Sequence, residues 1–282
     1  MGRCLMNFWR RREINKILRV VILLLLVGSW LWSWVPVTEV ISLDLLEDGQ
    51  ERIRIALITD LHSCFYGKEQ SDLMKRIDKG EPDVIILAGD IFDDVQGDDN
   101  AKALIEQLVL KYPCYYTTGN HEYWSGRTQE IKDYLRERGV YVLAGDCEKI
   151  TINGYVLDIC GVDDPDYLSD QEWQQQISRA YADTEATHIK ILVSHRPEKV
   201  SVYQQYDFDL ILTGHAHGGQ IGIPFIDRGV FAPDQGFLAE YASGSYALSN
   251  GSIMVVSRGL ARESTPLPRY FNHPEIVMLE LD

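Results

Sequence analysis

Five short apolar runs, each closed by a polar cluster, constrain the fold of this 282-residue chain more than any other feature. Residues 52–58 lead into Thr59-Asp60-Leu61-His62, and 84–88 into Gly89-Asp90. Residues 115–118 lead into Gly119-Asn120-His121-Glu122, 189–193 into Ser194-His195, and 210–213 into Gly214-His215-Ala216-His217. Runs this short and this rich in Ile, Val and Leu read as buried strands. Helical periodicity lies between some of them: over 68–79 through Leu73, Met74 and Ile77, over 101–110 through Leu104, Ile105, Leu108 and Val109, and over 128–137 through Ile131, Tyr134 and Leu135. Pro82, Pro113 and Gly139 follow as stops. Strands alternating with helices predict an α/β layer fold, in which ligands bind beyond the carboxyl ends of the strands. All five clusters fall at those ends.

Gathered on one sheet edge, the clusters supply Asp60, His62, Asp90, Asn120, His121, His195, His215 and His217. Carboxylate, amide oxygen and imidazole suit borderline divalent metals such as Mn, Fe, Zn or Ni. Of the seven histidines, only His188 and His273 lie elsewhere, and both read as surface or packing residues. Each cluster taken singly has a local explanation. Asp-x-His is often an Asx turn, Gly119-Asn120 a tight turn with positive φ, and His195 a helix cap. Their order and shared position at strand ends argue for one centre. Cys64 reads as a passive thiol. Phe65, Tyr66, Tyr123 and Trp124 read as local packing, with substrate stacking or lipid contact as the alternative. Asp93, Asp94, Asp98 and Asp99 read as a solvated acidic loop before a helix rather than a further cation site.

The series D-x-H, G-D, G-N-H-E, a lone H and G-H-x-H, with about 25–30 residues between the first three motifs, resembles the calcineurin-like metallophosphoesterase superfamily from residue 60 to residue 217. Gly214-His215-Ala216-His217-Gly218-Gly219-Gln220-Ile221 is similar to the signature of the YkuE/YaeI-type bacterial phosphodiesterase branch. Ser257-Arg258-Gly259-Leu260 and Pro274-Glu275-Ile276 look like that branch too, with Ala261 departing from its usual Gly. The resemblance implies a four-layer α-β-β-α sandwich and two divalent metal ions. Asp60, His62 and His217 would hold the first, Asn120, His195 and His215 the second, and Asp90 would bridge them. His121 would stay unligated and face the substrate, and Glu122 would have no ligand role. The implied activity is metal-dependent phosphoester hydrolysis of the phosphodiesterase or pyrophosphatase type through a metal-bridging hydroxide, on a small-molecule or lipid-linked substrate of the cell envelope. A phosphomonoesterase is the alternative, and a non-catalytic metal-stabilised envelope-binding protein a more distant one. Two cations sharing a carboxylate can stabilise both the attacking and the departing oxygen and acidify a water between them, so no Ser or Cys nucleophile is required. His121 is then the candidate proton donor to the leaving group.

Residues 20–35 read VVILLLLVGSWLWSWV without a charge. Extended to Val37, this run is long enough to cross a hydrocarbon core of about 30 Å as a helix. Trp30, Trp32 and Trp34 crowd one end, as in an interfacial belt, and six cations against the single Glu13 lie within residues 1–19 at the other. The positive-inside rule then predicts a basic cytoplasmic tail (1–19), a single-pass anchor in the cell membrane (20–37) and an extracytoplasmic catalytic domain (38–282). Ser33-Trp34-Val35-Pro36 is a poor cleavage site, and residues 11–16 partly resemble a twin-arginine export signal. The whole chain carries −15, so the part beyond the basic tail carries −20. Such a body repels nucleic-acid backbones, and no nucleic-acid partner is expected. Cys4, Cys64, Cys114, Cys147 and Cys160 are odd in number, widely spaced and without a CxxC. They form neither a disulfide framework nor a zinc ribbon, although one unspecified pair could bridge in an oxidising compartment.

Overall fold

The structure is a computed structural model. It describes residues 2–47, 49, 51–223, 226–262 and 267–282, the side chains of 2–11 and 226–228 excepted. The side chains of Arg3, Cys4, Arg10 and Arg11, which matter to the charge and cysteine expectations, lie outside the described residues.

Helix α1 (Gly2–Trp32) precedes β1 (Val37–Leu43) and β2 (Ile53–Ile58). Then come α2 (Ser71–Gly80), β3 (Val84–Ala88), α3 (Asp99–Leu108), β4 (Cys114–Thr117), α4 (Asn120–Trp124), α5 (Thr128–Glu137) and β5 (Tyr141–Val142). The second half holds β6 (Asp146–Ile152), β7 (Tyr155–Gly161), α6 (Asp170–Ala182), β8 (Ile189–Val193), α7 (Val200–Tyr203) and β9 (Leu210–Thr213). It closes with β10 (Gly222–Ile223), β11 (Ile226–Ala232), β12 (Gly236–Ala239), β13 (Gly244–Ala247), β14 (Ile253–Val256) and β15 (Glu275–Leu281).

Two mixed six-stranded sheets, β1-β15-β2-β3-β4-β5 and β13-β14-β9-β8-β7-β6, face each other, with a small β10-β11-β12 sheet beside them. The apolar runs are continuous because both faces of each strand are covered. Ile85 and Leu87 of β3 point outward, to Leu73, Ile77, Leu104 and Ile105 of α2 and α3. Val84 and Ile86 point inward, to Ile191, Leu210 and Leu212 of the facing sheet. On the far side Leu192 and Ile211 meet Trp173 and Ile177 of α6 and Tyr203 of α7. This period-two alternation builds the α-β-β-α sandwich that the resemblance implies. Strands β2, β3 and β4 run parallel in one sheet, and β8 and β9 run parallel in the other.

Register makes the one disulfide among the described residues. Cys147 of β6 lies opposite Cys160 of β7 and is bonded to it. Cys64 and Cys114 are buried and not disulfide-bonded.

The stretch 12–32 of α1 is long and apolar enough to cross a membrane, and most of its surface is exposed. The expected apolar run to Val37 does not stay helical to its end. Helix α1 stops at Trp32, Ser33 Oγ donates back to the Ser29 carbonyl at 2.9 Å, and Pro36, which has no N–H to continue a helix, precedes β1. The foot of α1 is tied to the body. The Phe271 N–H donates to Ser29 Oγ at 2.7 Å, and Arg262 Nη1 donates to the Trp34 carbonyl at 3.0 Å. The His273 ring stands edge-on to Trp32 at 4.0 Å. This is a packing role, as expected for His273.

Candidate metal centre

The loops after β2, β3, β4, β8 and β9 turn sharply, and the ligand-type residues sit in the turns. Asp60, His62, Asp90, His215 and His217 all have φ between 46° and 64°. L-residues enter this left-handed region at a cost, and such strain clusters where side chains must be aimed at a common point. Glycines next to them allow the loops to close. A Cβ on Gly89 would come 2.6 Å from His195 Nδ1, and one on Gly214 would come 2.5 Å from Asp60 Oδ2.

The eight residues split into neighbouring groups. Asp60, His62 and His217 can bring one ligand atom each within 4.8 Å of one another, and so can Asp90, His195 and His215. Asp90 Oδ2 lies between the groups, 3.6 Å from His62 Nε2 and 3.1 Å from His195 Nε2. Asn120 is buried and lies in the same cleft. His121, next to it, is partly exposed.

The other atoms of these side chains are held in place. His195 Nδ1 donates to the Ala88 carbonyl at 2.8 Å, which leaves Nε2 free to ligate. Asp60 accepts from Thr59 Oγ1 at 2.7 Å and from the His215 N–H at 3.1 Å. His62 Nδ1 is 3.0 Å from Asp93 Oδ1. By contrast, His62 Nε2, Asp90 Oδ2, Asn120 Oδ1, His195 Nε2 and His217 Nδ1 are buried and find no hydrogen-bond partner among the described residues. Buried polar atoms are seldom left unpaired, because each costs roughly 1–3 kcal/mol. Lone-pair donors of this kind, converging from five strand ends, fit divalent cations.

Charge follows the same geometry. Burial opposes ionisation of Asp90, but His195, His62 and His121 hold its carboxyl well below the usual range. Burial likewise disfavours a charged His121, yet Asp93, Asp90 and Asp94 together raise its pKa to about 9. Burial and the neighbouring histidines and Arg269 push His217 well down, so its ring is neutral, as a ligand must be.

The roles of three residues were not legible in the sequence. Asp93 is buried, not solvated, and it faces both His62 at 3.0 Å and His121 at 3.3 Å. Asp94 takes the His121 Nδ1 contact at 2.7 Å. The acidic loop is therefore drawn inward by two histidines, Asp98 is part-buried and paired to Arg127, and only Asp99, exposed in the first turn of α3, behaves as expected. Glu122, which carries no ligand role, organises the loops. Its carboxylate accepts from the N–H groups of Asp90, Ile91, Phe92 and Gly119 at 2.8–3.0 Å. Burial and Asp90 raise its pKa to about 7, against the pull of those donors. Its position three residues after Gly119, in the third place of α4, is the one sequence signal for this. Glu122→Gln would replace one acceptor oxygen with a donor and strand two buried N–H groups, at about 1–3 kcal/mol each. A drop of several degrees in melting temperature is expected, together with weaker metal retention, read by calorimetry and by metal analysis after dialysis.

A cleft of about 390 Å³ opens over the centre. Trp124, Phe231 and Leu267 make its apolar lip, and Arg196 and Asp234 one polar side. Arg196 is fixed by Asp164 at 2.7 Å, and His215 Nε2 meets Asp234 at 2.9 Å.

A family model described as calcineurin-like phosphoesterase matches residues 53–219, more than half of the chain and all of these loops. The chain belongs to the calcineurin-like phosphoesterase family. It is 28% identical to the uncharacterized metallophosphoesterase YkuE of Bacillus subtilis, over 86% of this chain and 83% of that protein. It is 26% identical to the phosphodiesterase YaeI of Escherichia coli, over 85% of this chain and 86% of that one. The NAD nucleotidase of Haemophilus influenzae shares the fold, with a TM-score of 0.52 and 17% identity over 75% of this chain and 46% of that protein. The chain is thus a metallophosphoesterase with similarity to YkuE and YaeI, and its Asp and His clusters are candidates for the divalent metals that this family uses.

Proposed function

We propose that the chain hydrolyses phosphodiesters or pyrophosphates with two divalent metals. The observation that carries this reading is the set of five unpartnered buried polar atoms that includes Asp90 Oδ2, with His62 Nε2 and His195 Nε2 3.6 and 3.1 Å from it. Asp60, His62 and His217 would hold one ion and Asn120, His195 and His215 the other, with Asp90 shared. Asp234 engages His215 Nε2, so Nδ1 of that ring would remain for the metal. Bound there, the two ions would acidify a water and neutralise charge on the phosphoryl oxygens. His121 stands at the exposed side of the centre, protonated by its carboxylate neighbours, and would donate to the leaving oxygen. The full-length chain with Mn²⁺ should turn over a chromogenic bis-aryl phosphate faster than the aryl monophosphate. The reverse order would favour the monoesterase reading, and turnover of neither ester across several metals would sink the catalytic one.

The apolar lip supports a substrate with a lipid or other apolar portion. Leu267 lies between Arg262 and Phe271, which hold the foot of α1, so the cleft would open near the membrane surface. The Cys147–Cys160 disulfide supports an extracytoplasmic domain, since such bonds persist in oxidising compartments. Protease added to intact cells should therefore degrade the domain; its full protection would reverse the proposed orientation.

A further inference from the structure

A second and larger concavity, of about 950 Å³, lies beside the foot of α1, and none of the metal-centre residues lines it. Its origin is a gap in the outer helical layer. Strand β1 forms the edge of its sheet, where Val40 is exposed beyond α2, while its register partner Met278 is buried against Gly80 at the end of α2. The floor is apolar, made by Trp34, Val40 and Met278, with Val40 57% exposed. The wall from α2 carries Asp72 and three cations, Lys75, Arg76 and Lys79. Among the described residues none of these three enters an ion pair or hydrogen bond. Arg54, by contrast, is matched by Glu81 and Glu280 within 4 Å.

A wall of net charge +2, three cations against Asp72, runs against a body that carries −20. An exposed apolar floor runs against a soluble surface as well. Both fit one environment. Trp34 and Val35 mark the place where an inserted α1 would leave the hydrocarbon, so the groove would sit at headgroup depth. Basic side chains held at that depth attract anionic lipid.

We propose that this groove seats the headgroup of an anionic phospholipid from the leaflet in which α1 ends. The phosphate meets Lys75, Arg76 and Lys79, and the glycerol and upper acyl carbons lie on Val40 and Trp34. The inference rests on insertion of α1 in a bilayer and is independent of the catalytic reading. It would add a fixed orientation of the body to the tether that α1 supplies.

The test uses the full-length chain in mild detergent, offered equal amounts of phosphatidylglycerol and phosphatidylcholine, with retained lipid counted by native mass spectrometry. Wild type should favour phosphatidylglycerol by at least about tenfold. The variant Lys75→Gln/Arg76→Gln/Lys79→Gln should hold the two lipids equally, with its melting temperature unchanged. Val40→Glu, on the floor, should also lose phosphatidylglycerol. Equal retention by wild type, or preference surviving in both variants, overturns the proposal. Displacement of phosphatidylglycerol by excess inorganic phosphate also overturns it, because the groove would then be a free-anion site. Flotation of wild type with pure phosphatidylcholine vesicles tests the insertion of α1 separately.

Discussion

Replacing Asp90 by Asn is expected to abolish the proposed metal-dependent ester hydrolysis and to leave the chain with fewer than two bound ions. The side chain keeps its shape but loses the charge that faces both histidine groups, with Oδ2 at 3.6 Å from His62 and 3.1 Å from His195. Changing an outer partner of a metal ligand typically costs 10–100-fold in affinity or activity, so loss of a shared ligand is expected to exceed ~100-fold. The amide also places N–H groups or a weaker carbonyl among buried imidazoles whose lone pairs already lack partners. Steady-state rates and metal content after dialysis are the measurements. Wild-type activity in the variant would remove Asp90 from the centre.

His121→Ala separates chemistry from metal binding. This ring is the most exposed of the candidate centre's histidines, at 21%, and groups with His62 and Asp93 rather than with Asp60 or Asp90. Both ions should therefore remain while kcat falls by about 10²–10⁴, the usual contribution of a positioned proton donor. The pH dependence follows in sign. A donor works while protonated, so activity should decline as pH rises through the pKa of His121. Asp93, Asp90 and Asp94 raise that pKa, to about 9, and Asp94 accepts from Nδ1 at 2.7 Å. Asp94→Asn removes one of these carboxylates and should move the alkaline limb to lower pH without loss of metal. The same shift makes a statement about stability. The folded-state pKa lies above the unfolded value of about 6.5, so the contribution is complete below that pH and is lost as pH rises towards about 9. Full activity in His121→Ala with metal retained would end its role as donor.

The clusters were legible in the sequence because each followed an apolar run with a definite end. Strands β3, β8 and β9 have the expected limits, and β2 and β4 differ by one residue. Buried parallel strands announce themselves through unbroken Ile, Val and Leu. The edge and hairpin strands β1, β6 and β7 mix charged or polar residues with apolar ones, as Glu39, Glu148, Lys149 and Asp158 show, and gave no such signal. The site was legible in its residue types and less so in its support. Burial of Asp93 depends on where His62 and His121 point, and the four-donor grip of Glu122 depends on the close approach of the β3 and β4 loops. Local pattern carries neither. Cys147 and Cys160 pair because β6 and β7 are in register, a tertiary fact that cysteine spacing does not contain. The end of α1 at Trp32 reflects Pro36 and the anchoring of Ser29, whereas hydropathy alone carried the helix on to Val37.

Asp90 is proposed to join two metal positions in one centre. Metal stoichiometry tests it most directly: full-length wild type and Asp90→Asn, loaded with Mn²⁺ and dialysed, are analysed for bound metal alongside ester turnover. Two ions per wild-type chain, with turnover rising as the second binds and fewer than two ions in Asp90→Asn, is the predicted result. A wild type that saturates at one ion with full activity, or an Asp90→Asn variant that keeps two ions and the wild-type rate, would contradict it.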